Sequence, residues 1–149
     1  MRQARNCWPA LVKKASDEVA QTQTELTAAL ARVEQFHTSH QRLCRLYEEY
    51  RLKEQQTQSE AVGMQASMNQ RQFMAQLLNL QHRLVLDISK AEAQVSGLRK
   101  KRLLADIALQ KMLALQEQEM MAVRLDQQQQ EQRDMDQLGL RQFNLRMQA

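Results

Sequence analysis

Residues 60–67, EAVGMQAS, decide the fold, because one regular apolar repeat stops there and another begins. Gly63 interrupts the repeat, and Ser67 is followed three residues later by Gln70, the spacing of a capping box at the start of a helix. We therefore predict a bend at about residues 59–67. A short connection between two helices makes them antiparallel neighbours.

A heptad repeat runs through the first third of the chain, which is typical of a coiled-coil helix. Pro9 suits the first turn, where its missing N–H costs nothing. We predict helix one at about residues 9–58. Its seam positions are Val12, Val19, Leu26, Val33, His40 and Tyr47, each followed three residues later by one of Ala15, Thr22, Ala29, Phe36, Leu43 and Tyr50.

Helix two is predicted at about residues 68–140, with the repeat resuming after the bend. Its seam is Met74, Gln81, Ile88, Val95, Arg102, Leu109, Gln116 and Val123, with Leu77, Leu84, Ala91, Leu98, Ala105 and Met112 between them. The polar members weaken the seam and help to set its register. We thus expect an all-α fold, a two-helix antiparallel coiled-coil hairpin with a longer second helix, as a single domain over residues 1–149.

The second helix is predicted to outlast the first. With a bend centred near Gly63, the first residues of helix one lie opposite about residue 117 of helix two. The remaining thirty or so residues of helix two have no partner within the chain. A helix left alone in water is marginal and gains most from packing against something else. We expect this overhang to be a docking element; a solvated tail is the alternative. Its apolar residues are Met120, Met121, Leu125, Met135, Leu138, Leu140 and Phe143.

Composition excludes several classes of protein. The 149 residues include 3 glycines, 1 proline and 4% aromatics, with a mean hydropathy of −0.65 and a formal charge of +4. Acidic and basic residues alternate, so a nucleic-acid partner is not expected. No apolar run reaches the eighteen or so residues of a membrane span. We expect a cytoplasmic protein.

Catalytic and metal sites are not predicted. The chain has no glycine-rich phosphate loop, and a two-helix hairpin offers almost no concave interior, so we expect a non-enzyme without cofactor. The stretch HTSHQRLC, residues 37–44, brings His37, His40 and Cys44 to helical spacing, with His82 as a possible fourth zinc ligand. A partly buried polar seam is the favoured interpretation.

Two further features suggest contacts with other proteins. The cluster Arg99–Arg102 is either a solvated helix face or a surface for an acidic partner. Tyr47, Tyr50, Phe73 and Leu77 gather near the bend, where they form either a contact site or part of the core.

Several short pieces of sequence resemble the FliJ family, small coiled-coil components of the flagellar type III export apparatus. They occur in the family's order over almost the whole chain. The pieces are Leu11 with Ala15, Glu18 and Val19; Tyr50-Arg51; Gln72-Phe73 with Leu77; Gln81-His82-Arg83; Arg99-Lys100-Lys101-Arg102-Leu103; and Met135-Asp136.

The resemblance implies a stalk whose termini enter the pore of the hexameric export ATPase FliI. It also implies contacts with the export gate FlhA and with empty export chaperones, and a peripheral location at the inner face of the cell membrane. The gate-contacting residues would be Leu43, Tyr50, Phe73 and Leu77. The ATPase-contacting residues would be Leu11, Val12, Met120, Met121, Leu125, Met135 and Leu138.

Three alternatives to this role are considered. The protein could be the equivalent stalk of a virulence injectisome, which shares the architecture. It could be a general coiled-coil chaperone or escort protein, because methionine side chains adapt to varied apolar partners. It could also be a self-associating filament or tether.

Overall fold

The computed structural model describes residues 7–57 and 63–148, all but one of them in two helices. Helix α1 is Cys7–Thr57 and helix α2 is Met64–Gln148. The two helices pack against each other, and the described residues contain no strand. The predicted bend at about residues 59–67 lies partly outside the described residues.

Helix α1 follows its predicted course, and Pro9 is the third residue of its first turn. A proline is tolerated there because the first N–H groups of a helix have no intrahelical acceptor. All twelve predicted seam positions of α1 are buried or half-buried, which confirms the repeat.

The start of α2 differs from the prediction. The helix begins at Met64, and the backbone N–H of Ser67 donates to the carbonyl of Gly63 at 3.3 Å. Gly63 is therefore the N-cap, and the predicted capping box of Ser67 and Gln70 is wrong. Glycine is accepted at an N-cap, and Met64, Gln65 and Ala66 are good helix formers, so the helix starts earlier.

The end of α2 also differs, because the helix continues to Gln148 rather than ending near residue 140. Gly139 lies inside it without a positive φ angle. One glycine in a helix interior costs about 1 kcal/mol relative to alanine, and the leucine, arginine and glutamine neighbours are favourable enough to offset this.

The chain divides into two compact units, residues Gln21–Arg102 and residues Met1–Ala20 with Leu103–Ala149. In the first unit, Leu26, Ala29 and Val95 form a buried cluster against which Val33 and Leu98 pack. Removing such side chains from water is the main favourable contribution to the pairing of two helices.

Polar contacts between the helices of this unit join the first turns of α2 to the end of α1, and later turns of α2 to earlier turns of α1. Gln70 Nε2 donates to the Tyr50 carbonyl at 3.1 Å, and Gln81 Nε2 donates to the Leu43 carbonyl at 3.2 Å. Two ion pairs accompany them, Arg71–Glu54 at 3.2 Å and Lys101–Glu25 at 3.4 Å, and His37 Nε2 lies 3.5 Å from a Glu92 carboxylate oxygen.

In the unit that contains the ends of both helices, Ala105 is buried at 8% exposure. Other seam residues of this unit are half-buried: Val12, Ala15 and Val19 on α1, and Leu109, Met112, Gln116 and Val123 on α2. Half-buried positions continue along α2 to Asp126, beyond the predicted limit near residue 117.

The seam of α2 has one exception. Arg102, predicted as a seam residue, is exposed, whereas the other thirteen predicted seam positions are buried or half-buried. A guanidinium group is costly to bury, and its long aliphatic stem lets the charge remain in water.

Candidate functional site

An aromatic pair lies close to the beginning of α2. The rings of Tyr50 and Phe73 have centroids 4.8 Å apart and planes inclined at 56°. The Lys53 ammonium group lies 5.3 Å from the Tyr50 ring centroid. Phe73 is 37% exposed and Tyr50 is half-buried. The pair therefore presents aromatic surface to solvent beside a positive charge.

Gln70 positions this pair. Its side chain donates to the Tyr50 carbonyl, which ties the C-terminal part of α1 to the first turns of α2. Phe73 lies one turn further along α2, where it meets the Tyr50 ring. A hydrogen bond to a backbone carbonyl fixes the separation of the helices as well as their register.

The structure separates the four residues expected to contact an export gate. Leu77 is only 3% exposed, so it belongs to the core and cannot reach another protein while the helices remain paired. Its assignment to the gate surface is wrong for this reason. Leu43 is half-buried on the seam, and its carbonyl accepts from Gln81. Phe73 is the exposed member of the four, and half-buried Tyr50 packs against its ring.

A second candidate surface is the terminal segment, which we define as residues 127–148 of α2. Every residue in it is exposed. Gln130 and Gln132 each donate to the aspartate four residues later, Asp134 at 3.5 Å and Asp136 at 3.3 Å. Its large apolar side chains are Met135, Leu138, Leu140, Phe143, Leu145 and Met147, each more than half exposed.

The residues expected to contact an ATPase ring are mostly exposed. Leu11 is 39% exposed, whereas Val12 is half-buried on the α1 seam. The exposed members on α2 are Met120, Met121, Leu125, Met135 and Leu138. Sequence reasoning missed Leu145 and Met147, because the second helix was predicted to end before them. Three large apolar residues after residue 140, Phe143, Leu145 and Met147, were the available signal.

The histidine and cysteine side chains of residues 37–44 point to different partners. His37 Nε2 lies 3.5 Å from a Glu92 carboxylate oxygen, and Cys44 Sγ lies 3.8 Å from His40 Nδ1. His82 is exposed. Within residues 7–57 and 63–148, no three histidine, cysteine or acidic side chains group as metal ligands would.

Some depressions in this surface are lined by residues of both helices, and others by successive turns of α2 alone. One of about 420 Å³ is lined by Gln76, Asn79, Leu80 and Arg83, and another of about 450 Å³ by Leu113, Gln116, Glu117, Met120, Met121 and Arg124. These side chains suit contact with a protein surface better than enclosure of a small molecule, which needs a concave site.

No helix in the described part of the chain is long and apolar enough to cross a membrane. No protein-family model, curated protein or solved structure matches the sequence.

Proposed function

We propose that the two helices form an antiparallel coiled-coil hairpin that serves as the non-catalytic central stalk of the flagellar type III export apparatus. The opposite course of residue numbers in the paired contacts, from Tyr50–Gln70 to Glu25–Lys101, supports the antiparallel arrangement. The ordered resemblance to the FliJ family supports the role.

The observation that carries the proposal is the exposed terminal segment. At about 100° per residue, Leu138 and Leu145 lie on one side of the helix, and Leu140, Phe143 and Met147 lie on the opposite side. A helix that is apolar on opposite sides gains most when it is surrounded, because a flat partner would cover only one side. The pore of the hexameric ATPase FliI would surround it.

The Tyr50–Phe73 pair is the proposed contact with the export gate FlhA. Exposed aromatic rings that are held rigidly are favourable anchors in protein interfaces, because they bury a large area with little loss of side-chain freedom. This role implies a cytoplasmic protein held at the inner face of the cell membrane through the gate. Empty export chaperones are further proposed partners.

The mechanism is a coupling between two binding sites on one chain. A single asymmetric stalk in a ring of six equal subunits makes different contacts with each of them, and so biases their nucleotide states. Differential contacts of this kind define a coupling free energy, typically 1–3 kcal/mol.

ATP hydrolysis by FliI tests the proposal. The chain is expected to bind the ring and raise its turnover, and Leu140→Ser with Phe143→Ser is expected to abolish both effects by removing apolar contacts. Gln137→Ser with Asn144→Ser is the matched control, because both of its sites are exposed polar residues of the same segment. Unchanged turnover together with no binding would refute the stalk role.

Gate binding is tested separately. Phe73→Ala is expected to weaken binding to the cytoplasmic part of FlhA at least fivefold, with circular dichroism unchanged. Leu78→Ala is the control, because Leu78 has the same 37% exposure at another position around α2. Equal losses in the two variants would count against the aromatic pair as the contact.

A coupling stalk of a virulence injectisome and a chaperone or escort protein are the competing roles. Tighter binding to an injectisome ATPase than to FliI would identify the first. The exposed methionines, Met120 and Met121 among them, favour the second, since methionine adapts to varied apolar partners. Co-purification with export chaperones and not with the ATPase would support it.

A further inference from the structure

Helix α2 has a second regular stripe, formed by exposed residues outside the seam. We call it the basic outer face and define it as Arg83, Leu86, Lys90, Ala93, Gly97 and Lys100. All six residues are exposed, and their alternating spacing of three and four places them along one line of the helix. The stripe contains no acidic residue.

Charge is segregated around this part of α2. Residues 64–102 contain seven basic and two acidic residues. Neither acidic residue belongs to the stripe: Glu92 lies against His37 of α1, and Asp87 is half-buried and lines a depression together with Lys90. Arg83, Lys90 and Lys100 have no ion pair with any residue that the structure describes. Their charges are therefore available to another molecule.

Between Lys90 and Lys100 the stripe consists of two small residues, Ala93 and Gly97. A Cβ atom built on Gly97 would meet no atom within 4 Å, so no close contact within the described chain requires a glycine there. A glycine in a helix interior costs about 1 kcal/mol relative to alanine. Together with Ala93, Gly97 lets a second helix approach to the 8 Å end of the usual interaxial range, between the flanking positive charges.

We propose that the basic outer face binds an acidic amphipathic helix of a partner protein, which aligns carboxylates with Arg83, Lys90 and Lys100 and packs small apolar residues over Ala93 and Gly97. Along the axis the three charges are about 10 and 15 Å apart, distances that a helix with glutamates at heptad-related positions can match. Opposite charges across an interface speed association and fix register.

The positive charge of the stripe favours an acidic partner helix over a second copy of the chain. A second copy of the same face would bring lysine and arginine opposite lysine and arginine in either orientation, which is repulsive. A membrane-bound helix inserts a broad apolar face, whereas Leu86 is the single large apolar residue of the stripe. The inference is independent of the stalk role, because it uses neither the aromatic pair nor the terminal segment.

The test uses the full chain and a synthetic helix as probe. The probe is a labelled amphipathic peptide with alanine and leucine on one stripe and glutamate beside it, and the control peptide has glutamine in place of glutamate. Fluorescence anisotropy at physiological ionic strength is expected to give at least tenfold tighter binding of the acidic peptide. Equal binding of both peptides would overturn the proposal.

Variants locate the contact. Lys90→Glu with Lys100→Glu is expected to weaken binding of the acidic peptide at least tenfold. Arg42→Glu with Arg45→Glu makes the same change of charge at exposed positions of α1, and is expected to change it less than twofold. Equal losses of binding in the two variants would mean that net charge alone controls peptide binding, and would overturn the assignment of the contact to the basic outer face.

Gly97→Gln tests the close approach. It places a longer side chain in open space, so circular dichroism is expected to be unchanged while binding weakens at least fivefold. Unchanged binding would remove Gly97 from the contact and refute close packing. Binding to phosphatidylserine vesicles with none to the acidic peptide would assign the face to a membrane instead.

Discussion

Leu77 and Phe73 lie four residues apart on α2, yet their environments differ: Leu77 is 3% exposed and Phe73 is 37% exposed. Leu77→Ala is expected to lower the free energy of unfolding by about 2–4 kcal/mol, because it removes buried methyl groups and leaves a cavity. Phe73→Ala is expected to cost about 1 kcal/mol, mainly the aromatic pair with Tyr50. Urea denaturation followed by circular dichroism measures both values.

Leu86→Ala is the control for this comparison, since Leu86 is 63% exposed and should contribute less than about 0.5 kcal/mol. A loss for Leu77→Ala no larger than that of the control would contradict its place in the core. Leu77→Met, which keeps most of the volume, is expected to restore much of the stability.

Single residues also mark where sequence reasoning fails. The heptad repeat placed Leu77 on the seam, whereas the family resemblance placed it on a contact surface. Its burial is compatible with the seam and not with the contact surface. Ser67 and Gln70 matched a capping box, but Gly63 caps α2 and Gln70 bonds to the Tyr50 carbonyl. Local patterns cannot predict such choices, because tertiary contacts differ by only about 1 kcal/mol from the local alternatives.

At the scale of the element, the heptad repeat was enough to predict most of the covered part of α2. The repeat depends on the apolar seam, and α1 supplies the facing surface from Tyr50 to Glu25. The end of the helix was not predictable in this way, because beyond Asp126 no seam residue is covered. There only the intrinsic preferences of glutamine, leucine and arginine favour a helix.

Hydrogen exchange distinguishes the two parts of α2. Amide protons of the terminal segment are expected to exchange at least a hundredfold faster than those of residues 88–98, because exposed helix opens locally whereas the packed core opens only when the helices separate. Deleting residues 127–149 is expected to change the free energy of unfolding by less than about 0.5 kcal/mol. A larger loss would mean that the segment packs within the protein.

For the whole molecule, the decisive question is whether the helix that packs against α2 belongs to the same chain or to a second copy. The ion pairs Arg71–Glu54 and Lys101–Glu25 join the two helices within one chain. Pairs this exposed contribute little free energy, about 0.2–1 kcal/mol each, so the apolar seam must hold the helices together. A coiled coil closed within one chain needs no second copy, and its stability should not depend on protein concentration.

Thermal unfolding at different concentrations tests this conclusion. Association within one chain makes Tm independent of concentration, whereas association of two chains makes Tm rise with it by mass action. We expect Tm to agree within about 1 °C between dilute and hundredfold more concentrated samples, with the mass of a monomer in solution. A clear rise in Tm would indicate that the seams pair between copies, as in a filament or tether. In that case a second chain could cover the terminal segment, and the segment could not be assigned as the unpaired part of a stalk.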